Sequence, residues 1–409
     1  MEHWVPAIPD EPEDPPVPYL DYAASAPLRA EALDAMRPFL ERPAANPSSQ
    51  HGPGRAARAA VEHAREQVAA LVGANPGQVV FTSGGTEADN LAVKGTVLAA
   101  EPDARHLVCS AVEHHAVLDA AAAAASDLGA EVELAPVDAA GRVELERLAG
   151  LPRPGRTALV AVMAANNEVG TVQPVARAAE LAHAAGAVLL CDAVQAAGLP
   201  GVDMGRDAID LLALAAHKLG GPTGIGALVV RPGLELRPLH HGGGQERGLR
   251  SGTLPVAAIA GFGAAAEAAL TDRASRPADL ARLRDRLLAG LRRLVPDLEV
   301  NGDPTMESRP GLPVGGLPGL LSVRFPGRRA EDLLLLLDRA GVACSAGSAC
   351  ASGAVSASHV LLAMGRSPAA ARQTVRFSLG HASTQADVDE AVSAVGRAVQ
   401  VLVPAGAAP

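Results

Sequence analysis

Short apolar runs alternate along this chain with longer alanine-rich stretches. Val79 to Phe81, Leu107 to Ser110, Val132 to Leu134, Leu159 to Met163, Val188 to Cys191, Leu211 to Ala215 and Ile225 to Val230 read as buried strands. Segments 87–100, 115–128 and 175–185, which lie between some of them, have the length and alanine content of crossover helices. Such alternation predicts an α/β fold, a mostly parallel sheet covered on both faces. After Thr253 the texture changes to a long Ala/Leu/Arg helical region over 255–294, suited to linking two domains. A strand at Leu320 to Phe325, a helix at Ala330 to Ala340 and a strand at Val375 to Leu379 then predict a smaller α+β unit. The expected division is a Pro-rich acidic leader over 1–18, a large domain over 19–265 whose first residues pack with the small domain, and a small C-terminal domain over 266–409.

Composition narrows the picture. At 409 residues the chain is long enough for more than one unit, and with 48% hydrophobic but only 2% aromatic residues its core must be built from Ala, Leu and Val. A net charge of -10 argues against holding nucleic acid or anionic lipid by bulk electrostatics. The start, Met1-Glu2-His3-Trp4, has neither the basic nor the apolar region of a signal peptide, and the longest leucine run, Leu333 to Leu337, is too short to span a bilayer. The four cysteines, Cys109, Cys191, Cys344 and Cys350, form neither a disulfide framework nor a zinc motif, so a reducing cytoplasm is the expected setting.

Only two lysines occur, Lys94 and Lys218, so amine chemistry has two candidates. Lys94 falls inside a helical stretch. Lys218 follows an apolar run and precedes the glycine-rich turn Gly220-Gly221-Pro222-Thr223-Gly224, a setting that desolvates an amine and suits Schiff-base formation. Asp192 ends the strand Val188 to Cys191; a carboxylate there either caps a turn or holds a pyridinium nitrogen protonated, as a pyridoxal phosphate electron sink requires. Ser83-Gly84-Gly85-Thr86 joins a strand to a helix N-terminus, which is either a phosphate cradle or a glycine turn with Thr86 as cap. No Walker lysine follows it. His114 begins a helix after a strand, at the surface or within reach of the same sheet edge, where it would stack on a ring or shuttle protons. Cys350 sits among small residues, where a thiol is exposed and mobile, whereas Cys109 and Cys191 lie in apolar strands.

In chain order the motifs are Tyr19-Leu20-Asp21, Asn46-Pro47-Ser48, SGGTEADN (83–90), EHHAVLD (113–119), NNEVG (166–170), DAVQ (192–195), AHK (216–218), GGGQERGLRSGT (242–253), GSACASG (347–353) and RFSLG (376–380). Together they resemble the pyridoxal-phosphate cysteine desulfurases of the NifS/IscS group, within the class V aminotransferases. The resemblance implies PLP fold-type I, with Lys218 carrying pyridoxal 5'-phosphate, Asp192 on its ring nitrogen and His114 stacked on the ring to transfer protons. It further implies Asn167 and Gln195 on the phenolic-oxygen side and Gly85, Thr86 and His217 at the phosphate. Thr253 would reach the phosphate of a neighbouring subunit, which makes the protein a homodimer. Arg376 would clamp the substrate carboxylate, with Asn167 beside it, and Cys350 would take sulfur from L-cysteine as a persulfide for an acceptor protein, as in iron–sulfur cluster assembly or thio-modification. Alternatives are a selenocysteine lyase or another class V transaminase or lyase, and, from a different class, a non-catalytic sulfur-relay partner.

Three departures stand out. Ala215 replaces a serine that relatives use on the phosphate, which predicts weaker cofactor retention. Residues 353–359 lack the Leu-Glu-Pro segment common after the reactive cysteine, and only 29 residues follow Gly380. Both leave the identity of the sulfur acceptor open.

Overall fold

The computed structural model describes residues 17–41, 45–199, 202–303, 315–347 and 357–402. Most of the leader read from the sequence, residues 1–16, and the segment 348–356 around Cys350 lie outside these residues.

A seven-stranded sheet forms the larger layer, from β1 (Val79–Thr82), β2 (His106–Ser110), β3 (Glu131–Ala135), β4 (Thr157–Ala161), β5 (Val188–Asp192), β6 (Leu211–Ala215) and β7 (Gly226–Val230). Its order is β1-β7-β6-β5-β4-β2-β3. Pairs β2/β3, β2/β4, β4/β5 and β5/β6 are parallel, while β7 runs antiparallel to both neighbours, so every strand but β7 points the same way. The C-terminal ends of β1, β2, β4, β5 and β6 therefore open onto one edge, where ligands of open α/β sheets bind.

Two helical layers cover the sheet. On one side α3 (Gly85–Ala99) and α4 (His115–Leu128) pack alanine faces, Ala88, Ala92, Ala120 and Ala124, onto Leu107, Leu159, Leu190 and Leu228. On the other lie α1 (Ala30–Leu40), α2 (Gly52–Leu71), the short α5 (Leu145–Leu148), α6 (Val175–Ala184) and α7 (Val256–Asp272), with Phe81 and Phe262 edge to face at the centre. Gly263 shows how close this packing is, because a Cβ there would stand 2.6 Å from the backbone of Ala64.

A second core belongs to the antiparallel sheet β10-β9-β8, made of β8 (Glu299–Asn301), β9 (Leu320–Arg324) and β10 (Thr374–Ser378). It packs with α8 (Arg276–Leu294), α9 (Ala330–Arg339) and α12 (Gln385–Val401), through Leu287, Leu291, Leu333, Leu337, Val388 and Val395. The short α10 (His359–Ala363) and α11 (Pro368–Ala371) lead into β10. Leu20 joins this second core, and the N-terminal segment makes parallel bridges Tyr19 to Ala343 and Asp21 to Ser378.

Two expectations are corrected. The helical region 255–294 is two helices: Pro277 is tolerated only in a first turn, so α8 must begin beside it, and Arg273 in the break donates to Ala197 O at 3.0 Å. Val132 to Leu134 is an edge strand and not a buried one, with Leu134 55% exposed and Glu131 paired to Arg153 at 2.6 Å.

Candidate active site

β6 ends at Ala215, and a single 3-10 turn, Ala216–Lys218, delivers His217 and Lys218 to the sheet edge. Gly221 must be glycine, since a Cβ would press on Ala216 O at 3.1 Å and on its methyl at 2.9 Å. The N-terminal segment wraps the lysine. Lys218 Nζ donates to Ala23 O at 2.6 Å and Ala24 O at 2.7 Å, Gln195 Nε2 donates to Ala23 O at 2.8 Å, and Ala26 N donates to the His217 carbonyl at 2.8 Å. Burial and then the Lys218 charge push His217 down to about 4, so this imidazole is neutral.

Asp192 closes β5 with its carboxylate buried, Oδ1 accepting from Val194 N at 2.9 Å. Burial raises its pKa, while that hydrogen bond and the His114 and Lys218 charges pull it down. A buried carboxylate beside a histidine and a lysine is set to face a cation. His114 caps α4, Nδ1 accepting from Ala116 N at 3.1 Å, which puts the neutral ring's proton on Nε2. Burial lowers its pKa, Asp192 opposes the change and Lys218 adds to it.

At the end of β1 the chain turns through Gly84 into α3. Gly84 is the cap and brings no side-chain hydrogen bond, so the first-turn N–H groups of α3 face outward as an anion seat, and Thr86 is not the cap. Thr86 is exposed in that first turn. A Cβ on Gly85 would meet Val194 Cγ2 at 2.8 Å and the Ala215 methyl at 3.7 Å, so Gly85, Val194 and Ala215 line one narrow seat.

Arg376, central in β10 and 3% exposed along its side chain, donates Nη1 to the Asn167 carbonyl at 2.8 Å and Nη2 to Asp21 Oδ1 at 2.9 Å. Asn166 shapes the turn that offers that carbonyl: its Oδ1 accepts from Glu168 N and Val169 N, and its Nδ2 donates to Val112 O. The small-domain sheet thus places its arginine against the large-domain edge.

Lys218, Asp192, His114, Gln195, His217, Gly85, Thr86, Asn167 and Arg376 accordingly stand on connected elements of one edge. Thr253 does not join them. It is exposed in an apolar groove with Met36, Phe39, Leu40, Leu254 and Val256. Cys350 lies outside the described residues. Buried carboxyls escaped the reading from sequence. Burial and the Asp192 charge lift Glu113 to about 8, and Asp89 is also raised, its Oδ1 and Glu113 Oε2 lacking any partner. Their signal was position, since both fall inside quoted motifs. Of the other thiols, Cys109 and Cys191 are buried in strands, and burial pushes Cys344 up to about 12.

A model of the Aminotransferase class-V family matches residues 18–391. An IscS-like cysteine desulfurase of Mycobacterium tuberculosis is 43% identical over 386 residues, 93% of this chain and 96% of the relative. A cysteine desulfurase of Cereibacter sphaeroides is 44% identical over 387 residues, 94% of this chain and 95% of the relative. Among solved structures, a NifS-like protein matches with a TM-score of 0.85 at 34% identity, covering 94% of this chain and 99% of its own. DndA from Streptomyces lividans matches with a TM-score of 0.71 at 36% identity, covering 88% and 99%. With a shared edge of lysine, aspartate and histidine and relatives matched nearly end to end, the chain belongs to the class-V aminotransferase family, in its NifS/IscS cysteine desulfurase group.

Proposed function

We propose that the protein is a pyridoxal-phosphate-dependent cysteine desulfurase that converts L-cysteine to L-alanine and carries the released sulfur as a persulfide on Cys350. The observation that carries this reading is the buried Asp192 carboxylate facing His114 and Lys218 on the edge that also receives Arg376. The donor set fits the cofactor: Asp192 would hold the ring nitrogen, His114 the ring face, the N-terminus of α3 with Gly85, Thr86 and His217 the phosphate, Asn167 and Gln195 the phenolic-oxygen side, and Lys218 the aldehyde carbon. When bound, the cofactor supplies an electron sink for the substrate's α-carbon.

Arg376 holds the substrate carboxylate, with Asn167 beside it, and so orients the α-carbon toward Lys218. Lys218 Nζ takes the α-proton. Neutral His114 accepts and returns protons, a role its depressed pKa supports. The Cys350 thiolate attacks the substrate sulfur; the S–S bond forms as the C–S bond breaks, and the electron pair of that bond stays with carbon. The carbon skeleton takes up a proton and leaves as L-alanine, so two thiols become one persulfide and one methyl group. Sulfur then passes to an acceptor protein.

The apolar groove that holds Thr253 supports a homodimer, because exposed Leu40 and its neighbours form a patch that a second copy would cover while bringing Thr253 to the other site. Free buried thiols support a reducing cytoplasm, and among the described residues no helix is long and apolar enough to cross a membrane.

Mixing the purified holoenzyme with L-cysteine and measuring alanine together with protein-bound persulfide tests the reading. Equal alanine and persulfide in one turnover, both lost in Lys218→Ala, and persulfide lost in Cys350→Ala, are expected. No alanine from cofactor-loaded protein would refute it, and turnover of L-selenocysteine alone would turn it into a selenocysteine lyase.

A further inference from the structure

Glu168 takes no part in the chemistry above, yet its side chain is buried in the turn after β4 and is lifted above its ordinary pKa mainly by that burial. Its Oε2 accepts from Ser358 Oγ at 2.5 Å. The same oxygen lies against Gly347, where a Cβ would stand 2.8 Å from it, so only glycine lets the backbone come this close. Gly347 and Ser358 bracket ten residues of chain that include Cys350.

Both flanks are fixed further. Before Gly347, Ser345 exchanges backbone hydrogen bonds with Arg376, at 2.7 and 3.2 Å. After it, Ser358 Oγ caps α10 by accepting from Leu361 N, and His359 Nε2 lies 3.0 Å from the Glu113 carbonyl. The chain thus leaves and returns at a single carboxylate, which the large domain presents one residue from the Asn167 carbonyl that holds Arg376. Cys350 follows Gly347 by three residues in the sequence.

We propose that Glu168 is a positioning residue for sulfur transfer: its carboxylate bonds Ser358 at one end of the Cys350 segment and packs against Gly347 at the other, beside the seat of the substrate carboxylate. This rests on the reading of Cys350 as the sulfur-receiving thiol. Releasing the tie leaves substrate binding and cofactor chemistry intact and lowers the frequency with which the thiol meets the substrate sulfur.

The test uses single-turnover kinetics of the holoenzyme with L-cysteine, following the cofactor absorbance change and protein-bound persulfide separately. Glu168→Ala is expected to slow persulfide formation tenfold or more while the rate and amplitude of the first absorbance change stay within twofold of wild type. Glu168→Gln, whose amide oxygen still accepts from Ser358, restores the rate to within threefold. Ser358→Ala is the milder second variant, expected to lose about threefold and to add nothing to Glu168→Ala in the double variant. Alkylation of Cys350 by iodoacetamide proceeds at the wild-type rate in all of them. Undiminished persulfide formation in Glu168→Ala, or an equal fall in both signals, would overturn the proposal. Persulfide persisting in Cys350→Ala would instead remove the reading on which it stands.

Discussion

Glu113 is fully buried, and burial together with the neighbouring Asp192 charge raises its carboxyl to about 8 from 4.5. The folded chain therefore holds a proton that the unfolded chain releases above about 4.5. For an acid raised in this way, the full stability is present below 4.5 and is lost as pH rises to 8; beyond that both forms are ionised and the loss stops. At 1.36 kcal/mol for each pH interval of one, the total is about 5 kcal/mol. Glu113→Gln removes the titration. Its amide oxygen keeps the acceptor that Met163 N uses at 2.7 Å, but its N–H groups point where Oε2 has no partner, a cost of about 1–2 kcal/mol. The variant is thus the weaker protein at pH 5 and the stronger one at pH 8.5, with the two curves crossing at about pH 5.5. Urea unfolding of the cofactor-stripped forms between pH 5 and 9, followed by circular dichroism, reads the difference. Cofactor is removed so that Asp192 faces only His114 and Lys218. A difference that stays constant across this range would show that Glu113 is ionised in the folded protein and would refute the reasoning.

Three more outcomes are expected. Ala215→Ser puts a hydroxyl in the seat shared with Gly85 and should tighten cofactor retention by about tenfold or more, the worth of a hydrogen bond to a charged group, measured as dissociation of pyridoxal phosphate into a trap. Gly85→Ala forces a methyl to within 2.8 Å of Val194 Cγ2 and should yield protein purified largely without cofactor, visible as loss of the bound cofactor's absorbance. Arg376→Lys cannot keep both the Asn167 carbonyl and Asp21 while also forking a carboxylate, so KM for L-cysteine should rise at least about tenfold with a smaller change in kcat.

Strands β1, β2 and β4 to β7 were legible because strands covered on both faces, whichever way they pair, must be continuous apolar runs, and the runs ending at Asp192 and near Lys218 placed those residues on the ligand edge. β8 was not legible: only Asn301 of its three residues is buried, so no pattern marks it. Nor did α1 and α2 announce their role, since what orders them is α7, some two hundred residues later in the chain for the Gln67 to Glu267 hydrogen bond. The carboxyls showed the same limit. Asp89, Glu113 and Glu168 look solvated by residue type, and only the packing of α3, β4 and the turn at Asn166 removes water from them. The tie between Asp21 and Arg376 is invisible in either motif alone.

That last tie has a consequence for synthesis. Asp21 precedes Arg376 by 355 residues, so at about 5–20 residues per second the ribosome delivers the second roughly 20–70 s after the first. The large sheet, complete by Val230, is free to form in that interval, and Ala23, Ala24 and Ala26 can already meet Lys218, Gln195 and His217, but Asp21 has neither its bridge to Ser378 nor its bond to Arg376 until β10 emerges. Competence is therefore a property of the nearly finished chain. A nascent product halted before residue 374 would carry a folded sheet, its lysine and its aspartate, and still lack Arg376, the side chain that ties Asp21 to the Asn167 carbonyl.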